Sequence, residues 1–99
     1  MSKEAQLQIE LNEDVAEGTY ANLAVIAHST SEFVFDFVRM MPGVAKAKVK
    51  SRIVMTPEHA KRLLVALQDN VMKYEDQFGE IRVPELGGRM PVPMFKGEA

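Results

Sequence analysis

The 99-residue chain contains no cysteine, which rules out a disulfide framework and a thiolate metal site and suits a reducing compartment. No apolar run approaches the roughly 20 residues needed to cross a bilayer, so a soluble protein is expected. Residues Met1 to Gln6 are polar, with Lys3 and Glu4 among them, and they lack the apolar core of a secretory signal. The expected compartment is therefore the cytoplasm. Histidines number two, and His59 has no second histidine or cysteine at ligand spacing, so no metal site is expected. Gly87 and Gly88 lack the lysine and following helix that give a phosphate loop its meaning. No cofactor is expected, and no internal repeat is visible.

What is present is an ordinary globular composition, 46% apolar and 26% charged, in a chain short enough that its core is marginal and dimerisation would strengthen it. The net charge of -2 conceals a segregation along the chain. Residues 1–36 carry -6, residues 37–66 carry +6 and residues 67–99 carry -2. Such an arrangement makes either a basic patch on an acidic body, the electrostatic form of a polyanion site, or a zip between acidic and basic strands in one sheet.

Hydrophobic periodicity gives the elements. Gln6 to Asn12 alternates, with Leu7, Ile9 and Leu11 on one side, as a half-buried strand does. An acidic stretch from Glu13 ends at Gly18 and reverses the chain. A second strand is expected over about Thr19 to His28, then a hairpin loop at Ser29, Thr30 and Ser31, whose hydroxyls bond nearby backbone. Phe33 to Met40 has bulky apolar groups on both faces and reads as a central strand, broken by Pro42 and Gly43. Val44 to Met55 reads as a fourth strand. Its even positions Lys46, Lys48, Lys50 and Arg52 are expected on one face, with Ala47, Val49, Ser51 and Ile53 on the other.

The clearest local signal follows. Thr56 can cap a helix with its hydroxyl, Pro57 suits the first helical position, and Glu58 lies near the positive end of the dipole. Ala60, Leu64, Leu67, Val71, Tyr74 and Phe78 then recur at spacings of four and three, widened by Leu63, until Gly79 stops the helix. This stripe is either the core or, since the same spacing serves a coiled coil, a dimer seam. Leu64, Leu67, Val71, Tyr74 and Phe78 are the candidate interface residues. A short strand-like segment, Glu80 to Val83, precedes a region dense in proline and glycine. The expected architecture is α+β: a four-stranded antiparallel meander followed by one long helix over residues 1–81, dimeric, with residues 82–99 a flexible tail.

A search for catalysis finds little. His28, Ser29, Ser31 and Asp36 nominally supply a base, a nucleophile and an acid, but a triad needs mutual geometry that closeness in sequence does not give. Asp36, between Val34 and Val38, needs a partner if buried, and Arg39, Lys50 or Arg52 could provide one. The row Lys46, Lys48, Lys50 and Arg52 can follow a phosphate backbone; it can equally keep an exposed sheet edge from aggregating. Phe33, Phe35, Phe37 or Tyr20 would add base stacking if they shared that face.

The stretch AHSTSEFVFDFVRMMPG, followed by KAKVKSRIVMTPEHAKRLLVALQDNVMKYEDQFGEI, resembles an uncharacterised bacterial family, domain of unknown function 3467, over about Asn12 to Ile81. The family brings no established activity and no catalytic residues. Some members are encoded near genes for RNA polymerase subunits, which implies a transcription-linked partner. The element order is also similar to that of single-stranded nucleic-acid modules of the Whirly and PUR kind. Together these lead to the expectation of a non-enzymatic homodimeric accessory or adaptor protein, with single-stranded nucleic-acid binding by the basic strand as the alternative.

Overall fold

Three alternating segments in the middle of the chain find one another as strands, and the capped segment after them forms a single long helix. The computed structural model describes residues 7–84. Its elements are a one-turn helix α1 (Glu13–Ala16), strands β1 (Leu23–His28), β2 (Phe33–Arg39) and β3 (Lys48–Met55), and helix α2 (Pro57–Phe78). The sheet is antiparallel in the order β1-β2-β3, so β2 is central and β3 is an edge. The loop between β1 and β2 is tied as hydroxyl chemistry suggests: Ser29 Oγ accepts from the amides of Ser31 and Glu32, and the Ser29 amide donates to the Glu32 carbonyl.

Among the described residues the sheet has three strands rather than four. Residues 7–12 have no regular structure and are exposed, Leu7 and Ile9 at 85% and 86%, and the acidic stretch after them is wound into α1. A period of two says which side chains would share a face. It does not supply a neighbouring ladder of amides and carbonyls, and without one a strand is not held. For the same reason residues 80–83 have no regular structure; there the Ile81 amide donates to the Glu75 carboxylate at 3.0 Å, folding the chain back against the end of α2. The expected tail falls mostly outside the described residues.

Helix α2 starts and stops where its caps dictate. The His59 amide donates to Thr56 Oγ1, Pro57 occupies the first turn, and Gly79 leaves the helix at φ 102°, a conformation that favours glycine. The helix does not lie across the sheet. Only Ala60 of its 22 residues is buried, and the stripe that follows is uncovered by the chain's own strands: Leu64, Leu67, Tyr74 and Phe78 are 50–66% exposed. Among the described residues the buried apolar ones are Phe35, Val38 and Ala60, a small core for so long an amphipathic helix.

Candidate functional site

The register of the sheet sorts the side chains into two faces. Phe33, Phe35 and Phe37 share a face with Ile26 and His28 of β1 and with Ser51, Ile53 and Met55 of β3. Val34, Asp36 and Val38 share the other with Ala27, Val25 and Leu23 and with Val54, Arg52 and Val49. Phe37 pairs with Ser51 but Val38 pairs with Val49, so Lys50 is skipped and forms a bulge in the edge strand. One inserted residue inverts the alternation beyond it.

That bulge divides the basic row expected on one face. Arg52, on one side of it, stands opposite Asp36; Lys48, on the other, stands opposite Arg39 on the opposite face of the sheet. Lys46 precedes the strand. Arg52 grips the Asp36 carboxylate with both ends of its guanidinium, Nε to Oδ1 at 2.7 Å and Nη2 to Oδ2 at 2.8 Å. Asp36 is 1% exposed, whereas the Arg52 side chain is 55% exposed. The hydrogen bonds from Arg52 hold the Asp36 carboxyl below its ordinary range; burial opposes them and the guanidinium charge assists. Of the three partners considered for Asp36, Arg52 is the one bonded. The charge zip reduces to this one cross-strand pair among the described residues.

The other three cations of the row, with Arg39, line a hollow of about 240 Å³ whose remaining walls are Met41 and Val44. Its backbone is held firmly. The Asn22 amide donates to the Val38 carbonyl, and the Asn22 side chain both accepts from the Met40 amide at 2.8 Å and donates to the Met40 carbonyl at 3.0 Å. Arg39 therefore sits between two residues tied to Asn22. Beyond it the Val44 amide donates to the Met41 carbonyl and Gly43 adopts φ 79°, turning the chain back toward Lys46. Among the described residues, no carboxylate lies within ion-pair distance of Arg39, Lys46, Lys48 or Lys50. Sequence reasoning missed Arg39 as a member of this cluster and Asn22 as its support. Arg39 followed Val38 closely enough to have been counted, but the cross-strand register that pairs it with Lys48 has no local signature.

The nominal triad is not assembled. His28 stacks on Phe33 at 5.4 Å on one face, Ser29 Oγ is taken up by loop amides, and Asp36 is engaged by Arg52 on the other face. Among the described residues no group of three metal-ligating side chains is found, and no helix is long and apolar enough to cross a membrane. A groove of about 610 Å³ separates the Phe33 face of the sheet from the first half of α2, with Ile26, Phe33 and Phe35 on one wall and Ala60, Leu64 and Leu67 on the other.

Fold and surface define an α+β protein, a three-stranded antiparallel sheet followed by a long helix, with a cationic hollow and an apolar groove among its surface features. The chain belongs to the family described as protein of unknown function, DUF3467, whose model matches residues 1–83. No curated protein and no solved structure matches it.

Proposed function

We propose that the protein binds single-stranded nucleic acid by its phosphates at the hollow formed by Arg39, Lys46, Lys48 and Lys50. The observation that carries this reading is Arg39 directly opposite Lys48. Like charges facing each other across two strands destabilise a sheet, so a fold that keeps them together gains only when an anion lies between them. Lysines along β3 alone would serve to protect an edge. Arg39 belongs to the central strand β2 rather than to the edge strand β3, and a cation there does nothing for that edge. The hollow is concave and small, which suits a flexible strand entering one phosphate at a time better than a stiff duplex, and Met41 and Val44 offer apolar surface to a sugar or base. Phe33 and Phe35 lie toward the groove beside α2, which leaves Phe37, on the face of Arg39 and Lys48, as the one ring of the three near the hollow; phosphate contact dominates and binding is tolerant of sequence.

The test is a titration of labelled single- and double-stranded DNA and RNA at two salt concentrations. With four cations engaged and about 0.7 counterions released per contact on a single strand, the logarithm of affinity falls against that of salt with a slope of roughly 3. Absent binding at low salt, or binding indifferent to salt, refutes the reading.

The exposed stripe of α2 favours a second reading, a non-enzymatic accessory or adaptor protein acting as a homodimer, in which the paired helices hold two hollows in one particle. A mass measurement in solution tests the pairing.

A further inference from the structure

We propose that two copies join through α2 in antiparallel order, the Tyr74–Phe78 end of each helix filling the groove beside the other copy's Ala60. This rests on the homodimer reading and goes beyond it by naming the occupant, the direction and the register.

The need for an occupant comes from the single chain. Helices in proteins draw most of their stability from packing of an amphipathic face, yet α2, about 33 Å long at 1.5 Å per residue, buries only Ala60. Each chain then carries both halves of a joint. The groove lies along the first half of α2, while the second half presents Tyr74 and Phe78 as an aromatic pair, exposed, with ring centres 4.9 Å apart and planes tilted by 47°. A groove at one end and a plug at the other are satisfied together by a two-fold axis, which repeats the same contact twice.

Direction and register follow from the stripe. Its spacings of four and three read the same from either end, so an antiparallel mate centred between Leu67 and Val71 sets Ala60 opposite Phe78, Leu64 opposite Tyr74 and Leu67 opposite Val71. The smallest residue meets one of the largest, as close packing of layers requires. Charge agrees. Residues 57–66 carry Glu58, Lys61 and Arg62, a net positive half, whereas residues 67–78 carry Asp69, Lys73, Glu75 and Asp76, a net negative half. A parallel pair would set like beside like; the antiparallel pair sets Lys61 beside the partner's Glu75. Lys61 lines the groove and has no carboxylate partner among the described residues.

The experiment is a charge exchange read by sedimentation equilibrium of the full chain, with helicity recorded for every variant. The native protein is expected as a dimer at micromolar concentration. Lys61→Glu and Glu75→Lys each raise the dimer dissociation constant about tenfold, since like charges then meet at the seam, and the double variant returns close to native. Phe78→Ala, which removes the plug from an exposed position, weakens the dimer while leaving the helix content unchanged. A monomeric native protein overturns both the homodimer reading and this seam. A native dimer in which the double variant is no better than the worse single one overturns the seam alone.

Discussion

The same two strands carry two cross-strand charged pairs on either side of one bulge, and the pairs are opposites in every respect. Asp36 and Arg52 are unlike in sign, doubly hydrogen-bonded, and buried on the carboxylate side. Arg39 and Lys48 are alike in sign, exposed and without a carboxylate among the described residues. Breaking the first pair would leave a buried carboxylate without its partner; like charges opposed as in the second destabilise a sheet. The first pair is satisfied within the chain; the second is the one that the proposed anion would satisfy. The bulge at Lys50 makes the division, because it sends Arg52 and Lys48 to different faces.

The contrast is broken most severely at Arg52. Arg52→Ala leaves the Asp36 carboxylate buried without its guanidinium and is expected to cost about 3 kcal/mol, measured by urea unfolding. Asp36→Asn costs less, since the remaining arginine is half exposed and reaches water. Acid provides the next test. The Asp36 value is depressed in the folded state, so the pair's contribution is fully present above the ordinary value of 3.8 and is lost as pH falls through the folded value. Unfolding followed between neutral and strongly acid pH is therefore expected to show a loss of stability that is smaller in Asp36→Asn. The smallest effect is expected from Lys46→Gln: it lies before β3, faces no cation across the ladder, and is expected to reduce oligonucleotide affinity by a few-fold and the salt slope by about 0.7, with no change in stability.

Much of the architecture was legible from the residues. The Thr56-Pro57-Glu58 cap and Gly79 bounded α2 because capping is local chemistry, and β2 was recognisable as central because Phe33 through Val38 is apolar on both faces. Leu7, Ile9 and Leu11 have the period of a strand but, among the described residues, no neighbour to pair with. The basic row divides for a related reason. Alternation is a property of one strand, whereas the bulge at Lys50 is set by how β3 meets β2, and no residue near it announces the extra position. The helix stripe was seen, but whether the chain's own sheet covers it depends on the direction in which α2 leaves Met55, which the residues do not state.

The most direct measurement combines two readings of Arg39→Gln/Lys48→Gln: affinity for a single-stranded oligonucleotide at low salt and midpoint of urea unfolding. If the opposed cations are kept for an anion, affinity falls at least about tenfold while the midpoint stays level or rises, since relieving like charges across a strand pair is worth roughly 0.2–1 kcal/mol. Unchanged affinity, or a loss of affinity that merely follows a loss of stability, would contradict the account.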